Sequence, residues 1–181
     1  MGASGSGTTT LGAALAGPLR VPQFDTDDFF WVPTEPPYQQ VRPREERQRL
    51  LAETLAGHPG WVQSGSLCGW GDFLIPQFDL VVFLWIPTEL RLQRLRDREY
   101  GRFGREIAKP GHPQYKGHRE FMAWAAGYDT GGTDMRSLAR HRAWLAELPC
   151  PVVRLDGPLS VEEGVARVLA ALQSNGSRTT R

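Results

Sequence analysis

The sequence predicts an α/β fold, a doubly wound, mostly parallel sheet flanked by helices, and three observations carry that prediction. The run FDLVVFLWI, residues 78–86, is almost continuously apolar, β-branched and aromatic with no polar alternation, which marks a strand buried on both faces. Strand-like and helix-like segments alternate at the lengths of βαβ units. The stretch GASGSGTTT, Gly2 to Thr10, has the glycine spacing of a turn that opens a helix and directs several backbone N–H groups inward.

Each element follows in order. TTLGAALA (9–16) is a run of helix formers that Gly17-Pro18 should stop. LRVPQFDTDD (19–28) predicts a brief strand and a polar turn, and the proline- and aromatic-rich FFWVPTEPPYQQVRP (29–43) a loop that covers something. REERQRLLAETLAG (44–57) is a helix with Leu50, Leu51 and Leu55 on one side, and GWVQSGSLCGWGD (60–72) a short strand running into glycines. After the buried strand, PTELRLQRLRDREYGRFG (87–104) opens on proline and continues as an arginine-rich helix. REIAKPGHPQYKGHREF (105–121) has little periodicity and predicts a mobile segment, and residues 121–149 give one or two helices around Gly131-Gly132. CPVVRLDG (150–157) is the last strand, and SVEEGVARVLAALQ (160–173) a helix with Ser160 at its cap and Glu163 three residues on. The expected organisation is a single domain over residues 1–173 with a lid-like segment at about 99–120, and a polar, disordered tail at 174–181.

Composition narrows the partners. A net charge of +1 on 181 residues supplies no bulk attraction to nucleic acid or to an anionic membrane, so anion binding must be local. Two cysteines and the lack of a long apolar run point to a cytoplasmic protein with reduced thiols. Lysine occurs only at Lys109 and Lys116, so a cation in a site is expected to be a guanidinium. The four histidines do not cluster at metal-ligand spacing, and Cys68, with no neighbouring base in sequence, reads as a small buried thiol.

Candidate chemistry gathers at the amino-terminal loop. Gly2, Gly5 and Gly7 free the backbone to form a phosphate nest, Thr9 stands where a hydroxyl would ligate Mg²⁺, and Thr8 or Thr10 could donate further bonds. Thr8 occupies the position that the G-x-x-x-x-G-K-[ST] pattern gives to lysine. The competing reading is an ordinary glycine turn before a helix. A second signal is FDTDD: Asp25 and Asp27, two residues apart at a strand end, would point to similar sides if the strand continued, one toward a metal and one toward a substrate proton. The alternative is a solvated acidic turn or helix cap. Trp31 and Trp70, beside polar loop residues, are the tryptophans best placed to line a substrate pocket.

GASGSGTTT, FDTDDFFW, WVQSGS and FDLVVFLWIPTELRLQRLRDRE occur in an order and spacing that resemble the small-molecule and nucleotide kinases of the P-loop NTPases, adenylate-kinase-like proteins and shikimate kinases among them. The resemblance spans nearly the whole chain and implies an ATP-dependent, Mg²⁺-using phosphotransferase acting on a small-molecule acceptor. It implies Gly2, Gly5, Ser6, Gly7, Thr8, Thr9 and Thr10 as the nucleotide cradle, Thr9 and Asp25 at the metal, and Asp27 at the acceptor. Gly65 corresponds to the strand-end glycine of the acceptor site. Arg94 and Arg98 correspond to lid-proximal arginines, Arg136 and Arg140 to those gripping the moving phosphoryl group, and Gly157 to the position packing the base.

The departures are specific. The loop lysine is replaced by Thr8, and GSLCGWGD lacks the arginine that grips a nucleoside monophosphate, which argues against that acceptor. Such a loop normally follows a buried strand, whereas only Met1 precedes Gly2 here; either the start is placed too late or the sheet has an altered centre. These departures keep a second reading open, a nucleotide-binding sensor or partner-binding protein without strong catalysis. The arginine helix, for its part, could be a solvated face paired with Glu89, Asp97 and Glu99.

Overall fold

The structure is a computed structural model and describes residues 1–176, with side chains through residue 174. Four strands alternate with seven helices among the described residues, in the order α1 (Thr8–Leu19), β1 (Gln23–Asp25), α2 (Thr26–Phe30), α3 (Arg44–Ala56), β2 (Val62–Ser64), β3 (Val81–Trp85), α4 (Thr88–Phe103), α5 (Tyr115–Ala126), α6 (Leu138–Ala146), β4 (Val152–Asp156) and α7 (Val161–Gly176). All strand pairings are parallel: β1 lies against β2 with Phe24 opposite Gln63, and β3 against β4 with Phe83 opposite Arg154. The predicted α/β class is the observed one.

The sheet is interrupted at its centre. β1 and β2 form one two-stranded half, β3 and β4 the other. Beside β3 the only extended partner among the described residues, β4 aside, is the pair Met1 and Gly2: Leu84 N–H donates to the Met1 carbonyl at 2.9 Å, and Gly2 bridges Leu84 in parallel. Between the two halves lies an apolar cavity of about 540 Å³ whose walls include Leu15, Val62, Val82, Leu84, Trp144 and Val168. A close-packed interior leaves few voids larger than a water molecule, so a cavity of this size is a property of the open sheet centre, where no strand lies among the described residues.

Three apolar clusters hold the halves. Leu11 and Leu15 of α1 pack with Leu155 and Val168, joining α1, β4 and α7 on one face. Phe83 and Val81 pack with Leu145 of α6 on the other. Phe29, Leu51, Leu55, Leu67, Trp70 and Leu74 form a third cluster beneath the loop that follows β2.

Several local expectations are corrected. Pro18 does not stop α1; it sits in the last turn, and Arg20 in the left-handed region closes the helix by donating to Ala16 O. The strand at FDTDD ends at Asp25, whose carboxylate caps α2 by accepting from Asp27 N–H at 3.0 Å. Residues 105–121, which show little periodicity in sequence, carry regular structure: a 3-10 turn at Arg105–Ala108, with Ile107 buried, leads to α5. Residues 174–176, expected in the tail, continue α7, and the rest of that tail, 177–181, lies outside the described residues. The expected capping box is present, Ser160 Oγ accepting from Glu163 N–H at 3.1 Å and Glu163 Oε2 from Ser160 N–H at 2.9 Å.

Candidate functional site

A second cavity, also about 540 Å³, opens over the carboxyl ends of the strands and is lined by the glycine loop, Asp25 and Asp27, three arginines of α4, Arg136 and Gly157. Its floor is built by backbone. Gly7 caps α1 with φ 98°, a left-handed conformation that a side chain would strain, and this turns the loop so that the first-turn N–H groups of α1 face the cavity without intrahelical partners. The positive end of the helix dipole points the same way.

Thr9 and Asp25 meet at this floor. Thr9 Oγ1 donates to Asp25 Oδ2 at 2.6 Å, placing a hydroxyl and a carboxylate from different elements side by side. Asp25 also caps α2, so its position is fixed from both sides. Both are hard oxygen donors of the kind that holds Mg²⁺, which takes one or two protein oxygens and completes its shell with water and phosphate. Asp27 is open to the cavity yet flanked by protein; burial first, and then the neighbouring Asp25, raise its pKa.

Arginines close the other walls. Arg94, Arg98 and Arg102 recur every four residues along α4, and all three line the cavity. Arg94 lies beside the loop: a Cβ placed on Gly7 would lie 3.8 Å from Arg94 Nη1, and no hydrogen bond or ion pair engages this guanidinium among the described residues. Arg98 contacts Glu99 at only 3.4 Å and sits over the Phe121 ring. Arg136 reaches under the loop and donates to Gly2 O at 2.8 Å, while its Nε is buried without a partner. Arg102 stands over Tyr38 of the covering loop, 5.7 Å from the ring centroid.

Helix α6 grips the loop after β2. Ser66 Oγ lies 2.9 Å from His141 Nε2, and Tyr128 OH lies 2.7 Å from His141 Nδ1. Trp144 Nε1 donates to Asp72 at 2.8 Å, and Arg140 lies so close against Gly69 that a Cβ there would collide with its Nη2. Gly65 begins this loop with φ 98°, and any side chain there would run into Thr26 Oγ1. Burial, then Arg136, lower the His141 pKa to about 3, so this imidazole is neutral. Burial raises the Tyr128 and Cys68 pKa values, so the phenol and the thiol stay protonated.

The structure therefore brings Gly5, Ser6, Gly7, Thr8, Thr9, Thr10, Asp25, Asp27, Gly65, Arg94, Arg98, Arg136 and Gly157 to one cavity. Gly2 lies beneath it, held between Leu84 and Arg136. Arg140 does not line the cavity but packs on the loop after β2. Trp70 is a core residue, 6 % exposed, its indole N–H turned in to Ser66 O. Trp31 sits at the base of the covering loop, bridged to Val41 and edge-on to Tyr38, outside the cavity. Sequence reasoning missed Arg102, which the four-residue arginine spacing could have disclosed, and the Ser66–His141–Tyr128 chain, which has no local signal. It also missed the buried Arg91, whose ion pair with Asp129 at 3.2 Å ties α4 to the segment before α6.

This arrangement is a parallel α/β sheet with a glycine loop leading into a helix at its carboxyl edge, a fold that solved structures share. Two solved structures match it over nearly their full length: a shikimate kinase from Bacteroides thetaiotaomicron, at TM-score 0.56 and 20% identity over 96% of both chains, and a gluconokinase from Sinorhizobium meliloti 1021, at TM-score 0.56 and 19% identity over 100% of this chain and 95% of that one. No protein-family model matches the sequence. The chain belongs to the family of YqaC from Bacillus subtilis (strain 168), an uncharacterized protein with which it is 46% identical over 175 residues, 97% of this chain and 96% of that one. No helix among the described residues is long and apolar enough to cross a membrane.

Proposed function

We propose that the protein is a phosphotransferase that moves the terminal phosphoryl group of a nucleoside triphosphate, ATP in the first instance, to a hydroxyl of a small-molecule acceptor. The observation that carries the reading is the Thr9–Asp25 pair, 2.6 Å apart on the floor of a cavity that also presents unpaired helix N–H groups and the arginines of α4. The loop amides would bind the β- and γ-phosphates, and Thr9 with Asp25 would hold Mg²⁺. Bound there, the metal would neutralise phosphate charge and orient the chain of phosphates.

Asp27 is the group suited to the acceptor. Its raised pKa, from burial and Asp25, makes it a stronger base than an ordinary aspartate. As the acceptor oxygen bonds to the γ-phosphorus, its proton passes to an Asp27 oxygen, and the bond from phosphorus to the β–γ bridging oxygen breaks to release nucleoside diphosphate. Arg94, Arg98, Arg102 and Arg136 spread the charge that develops on the phosphoryl oxygens. Arg94, lying beside Gly7, supplies the cation that Thr8 does not. Arg140, Gly65 and the loop after β2 shape the acceptor side, and Gly157 faces the base.

One feature favours a second reading, a nucleotide sensor without turnover: Thr8 leaves the loop with no lysine of its own. The test is nucleoside diphosphate release in Mg²⁺ with ATP and a panel of hydroxylated acceptors, alongside calorimetric titration of nucleotide. Turnover lost in Asp27→Asn supports the kinase; tight binding with no turnover on any acceptor supports the sensor.

A further inference from the structure

We propose that Ser66 binds the phosphoryl acceptor by donating its hydroxyl hydrogen to a polyol oxygen other than the one phosphorylated, a role that rests on the phosphotransferase reading. His141 and Tyr128 are the positioning residues that keep Ser66 a donor. Ser66 immediately follows Gly65, which lines the cavity together with Asp27, so its side chain leaves the main chain one peptide unit, about 3.8 Å, beyond the cavity wall. It is half-buried, open enough to meet a solute, and firmly held. Its carbonyl accepts from Trp70 Nε1 at 2.9 Å, Leu67 O accepts from Gly71 N–H at 2.7 Å, and Arg140 presses on Gly69.

The direction of the bond between Ser66 and His141 is set from the far side of the ring. Tyr128 is 3 % exposed, and its OH lies 2.7 Å from His141 Nδ1 with no other hydrogen-bond partner among the described residues. If Nδ1 carried the hydrogen, the phenol would accept it and leave its own proton buried and unpaired; a phenol donating to a bare Nδ1 orphans nothing. Arg91 stands over the Tyr128 ring, 5.1 Å from its centroid, which makes the phenol the better donor. Phe83 packs edge-on to the fully buried imidazole at 6.2 Å and holds its plane. The ring hydrogen therefore sits on Nε2, Ser66 Oγ accepts it at 2.9 Å, and the Ser66 hydrogen has no acceptor among the described residues. The chain from Tyr128 to Ser66 is uncharged, which suits a neutral hydroxyl oxygen, whereas a carboxylate is better matched by a guanidinium. The reacting hydroxyl must keep its lone pair for phosphorus while its proton goes to Asp27, so the Ser66 hydrogen serves a second oxygen of the same molecule.

The experiment uses the full chain with isotope-labelled histidine nitrogens, and glycerol, ribitol and mannitol as acceptor probes in the presence of ATP and Mg²⁺. Proton–nitrogen correlation spectra of the unliganded protein should show the His141 hydrogen on Nε2; a hydrogen on Nδ1 overturns the proposal. A bound polyol should move the Nε2–H resonance downfield, because a hydroxyl that donates becomes a better acceptor, and this movement should vanish in Ser66→Ala. That variant should raise the polyol KM by roughly 5- to 10-fold while kcat and the ATP KM change by less than about twofold. Ser66→Thr, which keeps the hydroxyl, should regain most of the loss. A Ser66→Ala chain with an unchanged polyol KM overturns the proposal, as do polyols that neither turn over nor move the His141 resonance. Should Ser66→Ala fail to fold, the movement of the resonance in the unmodified chain decides. A polyol that moves the resonance without turnover removes the phosphotransferase reading and leaves the contact; turnover indifferent to Ser66 keeps that reading and removes the contact.

Discussion

Ser66 and His141, 75 positions apart in sequence, meet at 2.9 Å through Oγ and Nε2, and this contact orders the loop that follows β2. Tyr128 OH makes its one hydrogen bond among the described residues to His141 Nδ1 at 2.7 Å, and a buried phenol with a single partner uses its proton there. The neutral imidazole therefore carries its hydrogen on Nε2 and donates to Ser66, leaving the Ser66 hydroxyl hydrogen available to another acceptor.

Stability should fall in acid through this histidine. The folded chain holds the His141 pKa near 3, by burial and then Arg136, against an ordinary value of 6.5. The unfolded chain therefore takes up a proton below pH 6.5 that the folded chain refuses until about pH 3, and stability declines across that window as pH drops. The group contributes up to about 1.4 kcal/mol per pH unit. Urea denaturation between pH 7 and pH 4 should show this slope, and His141→Gln should flatten it. An unchanged slope in the variant would place the acid sensitivity elsewhere.

Asp27→Asn should separate binding from turnover. The side chain keeps its shape but cannot accept a proton, so phosphoryl transfer should drop by about 10² to 10⁴ while nucleotide affinity stays within a few fold. The rate in the unmodified protein should also lose its acid limb at a pH above that of an ordinary aspartate, because burial and Asp25 both raise the Asp27 pKa. Turnover at the original rate in the Asp27→Asn variant would remove this carboxylate from the chemistry.

Arg94 and Thr8 should behave as exchangeable positions for one charge. With Arg94 Nη1 already beside Gly7, Thr8→Lys should change ATP affinity by less than about threefold, whereas Arg94→Ala should weaken it by roughly 10-fold or more, the scale of a charge-assisted hydrogen bond. The double variant should recover most of the loss. Calorimetry on the four proteins gives the coupling directly; additive effects would show that the two positions serve different phosphates.

Much of the fold was legible because its signals are local. The apolar run around β3 and the Ser160–Glu163 box each lie within a few residues, and both appear as read. Asp25 and Asp27 were legible as a pair but not as a geometry: an extended strand was expected to align them, whereas a helix cap brings them together. Trp70 misled because its polar neighbours hide a ring that turns into the core beside Leu51 and Leu74. Ser66, His141 and Tyr128 left no trace in the sequence, since a contact made between distant elements imposes no spacing on either.

The Arg91–Asp129 pair gives the last expectation. Arg91 is 1 % exposed, pairs with Asp129 at 3.2 Å and donates to Ala125 O, while Thr88 and Trp85 also donate to the Asp129 carboxylate. Burial works against the charged carboxylate, but the bonds from Thr88, Trp85 and Arg91 outweigh it and lower the pKa. Removing one partner leaves a buried guanidinium uncompensated, which costs about 3 to 5 kcal/mol in such pairs. Asp129→Ala should therefore destabilise strongly by urea denaturation, and Asp129→Asn less, because the amide oxygen still accepts from Arg91. The pair connects α4 to the segment that leads into α6, so loosening it should also release Arg94 and Arg98 from their places at the cavity. ATP affinity should then fall in Asp129→Asn even where the variant remains folded. A variant that is less stable but binds nucleotide normally would confine the pair to holding the helices together.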